Sequence, residues 1–249
     1  MNERPATRLY ITDALANSVT VELSTGQAHQ LRSVLRLGPG APVAAFNATD
    51  GEWLCRIAEI GRGGARLTIE HKVRSPAPEP DLWLLFAPIK RARLDWLVEK
   101  ATELGVSMLM PVWTARTQAE RLNLERLRAH AIEAAEQSER LLVPELRSPE
   151  ALGRVLAGWP AERCLIFCDE SGAGEPIGAA AVRLPVGPVA LLIGPEGGFD
   201  QTELDALGKL SFVSRIGLGP RVLRADTAAL AALAVFQAIA GDWRRARTR

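Results

Sequence analysis

Over the first 74 residues apolar and polar positions alternate in short runs; beyond them, continuous apolar runs alternate with stretches of helical spacing. The runs at 8–12, 19–23, 42–46, 52–60 and 65–73 have the period of two expected of half-buried strands. Turn residues punctuate them at Gly38-Pro39-Gly40, at 47–51 and at 61–64. Short strands at this spacing predict a small antiparallel barrel or sandwich. One amphipathic stretch, 26–37, interrupts them and sets Leu31, Val34 and Leu35 on one helical face.

Pro76, Pro78 and Pro80 then alternate, which favours an extended, semi-rigid spacer. The natural division is an amino-terminal domain over 1–75 and a second domain over 76–249. The run 82–88 is apolar throughout, as expected of a strand buried on both faces. After it, Leu94, Leu97, Val98, Ala101 and Leu104 recur at helical spacing up to Gly105. A strand at 108–113, a long helix at 123–140, a short helix at 149–156 and strands at 164–168, 189–193 and 212–216 follow, with helices from Asp200 and over 226–240. Such alternation predicts an α/β domain whose parallel sheet is covered on both faces.

The formal net charge of +1 excludes a protein held to nucleic acid by bulk charge alone, so any RNA or DNA partner must be met by a local patch and by shape. Cys55, Cys164 and Cys168 form no disulfide framework and no metal-ligand spacing, and they fit a reduced, cytoplasmic compartment with no metal. Cys164 and Cys168 read as buried apolar residues. The first residues carry no apolar signal segment, and the apolar run 228–236 is too short to span a bilayer, so no membrane is expected. His29, His71 and His130 share no motif. Trp243 with Arg244, Arg245, Arg247 and Arg249 forms a short basic tail that either touches RNA or frays.

Two glycine turns carry the strongest chemical signal. In 191–203 a buried strand runs into Gly194-Pro195-Glu196-Gly197-Gly198-Phe199, and Asp200 with Glu203 forms a capping-box start to a helix. In 216–228 a strand runs into Gly217-Leu218-Gly219-Pro220-Arg221-Val222-Leu223-Arg224, after which Asp226 or Thr227 caps a helix. Ligands of open α/β sheets bind at the carboxyl ends of strands. Neither turn completes a P-loop or a dinucleotide fingerprint, which disfavours a nicotinamide dehydrogenase. Glu196 would repel a phosphate, so a cationic or neutral ligand with hydroxyls fits the first turn; a tight structural turn is the alternative. Arg224 sits at a helix start where the dipole disfavours it, a local conflict that points to function. Glu99 and Glu103 lie one helical turn apart and fit ion pairs with Lys100, while Glu136-Gln137 fits either a hydrogen bond to a neighbouring loop or an exposed face.

These residues resemble a known family. Leu192-Ile193-Gly194-Pro195-Glu196-Gly197-Gly198-Phe199 with Glu203, and Leu218-Gly219-Pro220-Arg221-Val222-Leu223-Arg224 with Thr227-Ala228, resemble the two signature motifs of the RsmE family, the 16S ribosomal RNA (uracil-N3)-methyltransferases of the SPOUT superfamily. His29, Val34-Leu35-Arg36-Leu37 and Gly40 resemble its amino-terminal PUA-like barrel. Lys90, 100–105, Arg116 and Ala135-Glu136-Gln137-Ser138 with Arg140 resemble its middle motifs. Asp226 stands where the family usually has Glu, and Leu141-Leu142 replaces a more polar pair.

The resemblance implies a PUA-like β-barrel followed by a knotted, parallel-sheet α/β methyltransferase domain that uses S-adenosylmethionine and works as a homodimer on 16S rRNA of the 30S subunit. Three loops would hold the cofactor: one after Cys168, one at 194–199 and one at 217–224. The implied cofactor residues are Phe167, Leu192, Ile193, Gly194, Pro195, Glu196, Gly197, Gly198, Gly217, Leu218, Gly219, Val222, Leu223 and Thr227. Arg8, Arg32, Arg36, Lys90, Arg116, Arg140 and Arg221 are the expected RNA contacts. Arg224 is expected to stabilise the uracil anion or its phosphate, with Glu196 or Asp226 orienting the substrate or accepting the proton. The helix over 228–240, apolar almost all round, would fit a dimer interface. Two rivals stay open: a methyltransferase of the same superfamily acting on another RNA such as transfer RNA, and a catalytically silent RNA-binding assembly factor.

Overall fold

The computed structural model describes residues 4–61, 63–118, 121–183 and 187–244; Arg245, Arg247 and Arg249 of the basic tail lie outside them. The chain divides into two compact units, Met1–Pro78 with Ala135–Val143, and Glu79–Ala134 with Pro144–Arg249. The division falls among the alternating prolines, but the return of Ala135–Val143 to the first unit departs from a simple cut into 1–75 and 76–249.

In the first unit β1 (Arg8–Tyr10), β2 (Thr20–Glu22), β3 (Pro42–Asn47), β4 (Gly51–Gly61) and β5 (Gly64–Arg74) pair in the order β1-β3-β4-β5-β2. Leu9, Val43, Ala45, Ile57, Leu67 and Ile69 alternate inward along these strands and form the core with Leu31. β3, β4, β5 and β2 pair antiparallel as expected, but β1 runs parallel to β3, which corrects the all-antiparallel expectation. A parallel pair needs a long crossover, and the segment 11–41 supplies one through β2 and α1 (Thr25–His29).

The amphipathic stretch also departs from its 3.6-residue reading. Gln30–Val34 is a π-helical turn, closed by the Leu35 amide donating to the Gln30 carbonyl at 2.9 Å. The wider turn breaks the expected face: Leu31 is buried, whereas Val34 is 67% and Leu35 38% exposed. Arg32 and Arg36 are exposed beside them.

The second unit contains β6 (Leu82–Phe86), α2 (Arg91–Glu103), β7 (Met108–Trp113), α3 (Leu124–Gln137), β8 (Glu145–Leu146), β9 (Glu150–Ala151), α4 (Leu152–Ala157), β10 (Cys164–Cys168), β11 (Glu175–Pro176), α5 (Ile177–Val182), β12 (Val189–Ile193), α6 (Gln201–Gly208), β13 (Val213–Gly217) and α7 (Ala225–Ile239). Its sheet runs β11-β13-β10-β12-β6-β7-β8, with β9 also paired to β7, and every pair is parallel. The carboxyl ends of β10, β12 and β13 therefore open on one edge. At the opposite edge the Arg163 guanidinium lies 3.5 Å over the Trp83 ring and donates to the Asp81 and Val189 carbonyls, clamping the starts of β6 and β12. Buried Gln237 donates to the Leu104 carbonyl at 2.7 Å and joins α7 to the end of α2.

The last turn of α3 and the following residues complete the first unit. Arg8 donates to the carbonyls of Ala135 (2.9 Å), Glu136 (2.8 Å) and Arg140 (3.0 Å) and to Glu52 Oε1 (3.0 Å), and it lies 4.2 Å over the Phe46 ring. The Tyr10 amide donates to Glu136 Oε1, so Glu136 holds the end of strand β1 rather than a loop. Leu141 packs with Phe46, Ala135, Tyr10 and Val143, which explains an apolar residue at that position. Arg8 and Arg140 are the RNA contacts expected here: the guanidinium of Arg8 is engaged by internal acceptors, and Arg140 is buried.

Candidate functional site

Turns leaving β10, β12 and β13 enclose a cavity of about 860 Å³, a size typical of small-molecule sites. The turn after β12 is tightened by the Gly198 amide donating to the Pro195 carbonyl at 2.9 Å. It passes into α6 through a capping box: the Glu203 amide donates to Asp200 Oδ1 (2.7 Å), and the Asp200 amide to Glu203 Oε2 (3.0 Å). Glu203 Oε1 also accepts from the Ala115 amide at 2.8 Å, so one carboxylate fixes both the helix start and the exit of β7. Phe199 stands edge-on to Phe167 with ring centroids 5.0 Å apart, anchoring the turn on the sheet.

Gly198 has φ +68°, and a Cβ there would run into Glu170 Oε1 from the neighbouring turn. Gly198→Ala is expected to cost about 1–2 kcal/mol in the left-handed backbone alone and to weaken ligand binding in the cavity as Glu170 is displaced. Calorimetric titration and thermal melting of the variant check both effects. Gly219, at φ +94°, faces open space on the cavity wall, where a side chain would fill room available to a ligand.

Charge around the cavity is organised by arginines. Arg93, in the first turn of α2, has Nη1 3.0 Å from Glu196 Oε1 and Nε 3.9 Å from Asp226 Oδ2. Asp169, buried at the end of β10, accepts from the Ser171 amide (3.0 Å), the Ser171 hydroxyl (2.7 Å) and Arg215 Nε (2.8 Å). Burial alone would raise the Asp169 carboxyl, but these donors outweigh it and hold the group below the usual carboxylate value. The Cys168 thiol, on the cavity wall, is pushed up to about 12 by burial, so it is unreactive at neutral pH. Among the described residues no group of three or more His, Cys, Asp and Glu side chains could hold a metal ion, and no helix is long and apolar enough to cross a membrane.

Ile193, Gly194, Pro195, Glu196, Gly198, Gly217, Leu218, Gly219, Val222 and Leu223 line this cavity, together with Arg221 and Arg224. Phe167 and Leu192 do not: both project into the opposite-face core with Leu85, Leu165 and Ala190. Thr227 is exposed and outside the lining, and Gly197 turns toward a second cavity. The helix after β13 is capped neither by Asp226 nor by Thr227; its N-cap is Arg224, which makes no side-chain capping bond, and Asp226 lies in the first turn. Arg93 borders the cavity, as do Asp169, Glu170, Ser171, Gly172 and Gly174 of the loop after Cys168, which the resemblance marks as a cofactor loop. The cations Lys90, Arg91 and Arg93 around the start of α2, with no acid in its first turn, are the signal that could have exposed Arg93.

The second cavity, about 960 Å³, is lined by Lys90, Arg91, Arg116, Arg121 and Arg126 and shares Pro195 and Glu196 with the first. Arg116 Nη1 donates to the Gly197 carbonyl at 2.9 Å and so supports the partition between them. Lys90 is the exposed N-cap residue of α2. Lys100 pairs with both Glu99 (2.7 Å) and Glu103 (2.8 Å), as their spacing suggested.

Residues 76–237 match the family model described as the RNA methyltransferase domain, and residues 23–70 that of the RNA methyltransferase PUA domain. The chain is 33% identical over 229 residues to the ribosomal RNA small subunit methyltransferase E of Rickettsia conorii, covering 91% of this chain and 93% of the relative. Its Synechocystis counterpart is 30% identical over 241 residues, 94% of this chain and 78% of the relative. The crystal structure of ribosomal RNA small subunit methyltransferase E from Neisseria gonorrhoeae bound to S-adenosyl methionine superposes with a TM-score of 0.87 at 27% identity, covering 95% of this chain and 99% of that one. The methyltransferase Lpg2936 from Legionella pneumophila, in complex with the cofactor SAM, gives 0.83 at 30% identity over 95% and 98%.

Proposed function

The chain belongs to the ribosomal RNA small subunit methyltransferase E family, and from that membership we propose that it methylates N3 of a uridine in 16S ribosomal RNA with S-adenosylmethionine as donor. The observation that carries this reading is the wall shared by two unlike cavities: a glycine-turn cavity suited to a compact cationic cofactor, and an arginine-lined cavity suited to a nucleotide and its phosphates, meeting at Pro195 and Glu196.

When bound, S-adenosylmethionine supplies an electrophilic methyl group on a sulfonium centre. The turns 194–199 and 217–224 and the loop after Cys168 hold it, with Glu196 and Glu170 as nearby carboxylates and the glycine walls giving room for the ribose and base. The uracil N3 must lose its proton before it becomes a nucleophile. Arg224 at the cavity margin stabilises the resulting anion. Either Glu196, on the shared wall, or Asp226, in the first turn of α7, accepts that proton, and the other orients the substrate. Lys90, Arg116 and Arg221 are the RNA contacts proposed for this unit, and Arg32 and Arg36, taken by themselves, those proposed for the other. We assign the protein to the cytoplasm, its substrate to the assembled 30S particle and its working form to a homodimer. Val222, 80% exposed beside the cavity, supports a partner surface there.

Methyl transfer from labelled S-adenosylmethionine to small subunits lacking the modification, with free 16S rRNA and transfer RNA in parallel, tests this reading by nucleoside mass spectrometry. The expected result is 3-methyluridine in the subunit sample. Label confined to transfer RNA, or cofactor binding with no label anywhere, would overturn it.

A further inference from the structure

We propose that Arg93 is a positioning residue for methyl transfer: it holds the Glu196 carboxylate at the wall shared by the two cavities and ties the turn after β12 to the first turn of α7. The inference rests on the methyltransferase reading above and deepens it.

The starting point is an electrostatic conflict. Lys90, Arg91 and Arg93 crowd the amino-terminal end of α2, and no acidic residue lies in its first turn. Cations at that end oppose the helix dipole, so their charge must be answered from elsewhere. For Lys90 and Arg91 the answer is the open second cavity, which they line. Arg93 instead borders the first cavity and is answered internally, by Glu196 Oε1 at 3.0 Å and Asp226 Oδ2 at 3.9 Å. One guanidinium thus reaches two segments far apart in sequence, the turn after β12 and the start of α7.

The arrangement matters most for Glu196. Its side chain is 40% exposed, and among the described residues Arg93 is the partner that fixes it. An exposed glutamate left alone spreads over several rotamers, and ordering it at the moment of reaction costs entropy. Arg93 is anchored by a helix whose Leu94, Leu97 and Val98 are buried, so it pre-selects one placement. Oε1 is engaged, while Oε2 has no partner among the described residues and stays available to a ligand or a proton. Because Glu196 borders both cavities, this single placement bears on cofactor and nucleotide together.

A residue that acts through Glu196 makes a distinctive pattern in a double-mutant cycle. Arg93→Ala and Glu196→Ala in the full chain should each lower kcat about tenfold and weaken S-adenosylmethionine binding in calorimetric titration, with little change in melting temperature. The double variant should be no worse than Glu196→Ala alone. Arg93→Lys should recover part of kcat, because it restores charge without the two-sided reach. Losses that multiply in the double variant would show Arg93 acting on a ligand directly and would overturn the proposal, as would an Arg93→Ala protein with unaltered binding and turnover. The calorimetric cycle needs no RNA, so it decides the role of Arg93 even where the wild-type protein labels a different RNA and the substrate reading fails.

Discussion

Replacing Arg224 by alanine lowers the methyl-transfer rate about 10²–10³-fold, the usual cost of removing one group that stabilises a developing anion, while cofactor affinity stays close to that of the wild type. Arg224 is the N-cap residue of α7, where its charge opposes the dipole, and its side chain is exposed at the cavity margin with no ion pair among the described residues. A cation kept in an unfavourable, unpaired place is available to a negative charge that arises only during reaction. The same variant should be slightly more stable, by about 0.3–1 kcal/mol, because the conflict with the dipole is relieved. Single-turnover kinetics and thermal melting on one preparation therefore give opposite signs. Unchanged turnover with normal RNA affinity would remove Arg224 from the mechanism.

Arg8→Ala is the second large effect, and it is one of stability. Removing this guanidinium takes a donor from three backbone carbonyls, leaves Glu52 with Arg74 as its remaining cation and strips the cation from the Phe46 ring. With Arg74 still holding Glu52, the loss is that of charge-assisted hydrogen bonds and their buried acceptors, about 1.5–3 kcal/mol, a large share of the stability of a marginally stable unit. Denaturant unfolding followed by circular dichroism measures it. A variant that keeps its stability but loses RNA affinity would return Arg8 to the binding surface.

Much of the second unit was legible in the sequence because parallel strands buried on both faces announce themselves: Val189–Ile193 and Leu82–Phe86 are almost wholly apolar, and the glycine turns that follow β12 and β13 mark the ligand edge. That same saturation hid the facing of single residues. With no polar position to break the period, Phe167 and Leu192 looked as close to the site as Ile193, although alternation along each strand turns them to the other face. The two-residue strands β8, β9 and β11 are too short to show any period. The parallel pairing of β1 with β3 and the exposure of Val34 come from tertiary crossover and from one π turn, neither of which leaves a mark in binary patterning. Arg93 was within reach: the dipole argument that drew attention to Arg224 applies equally at the start of α2.

The first unit is assembled from two pieces of chain separated by the whole of 79–134. A ribosome making this protein finishes the strands of the unit early, but the carbonyls that receive Arg8 have yet to be synthesised. At roughly 5–20 residues per second the wait lasts several seconds, during which Arg8 has Glu52 and the Phe46 ring but none of its three carbonyl acceptors, and Phe46 lacks Ala135 and Leu141. The amino-terminal module of this enzyme is thus first to be translated yet cannot be first to mature, and its final closure is timed by the elongation of its neighbour.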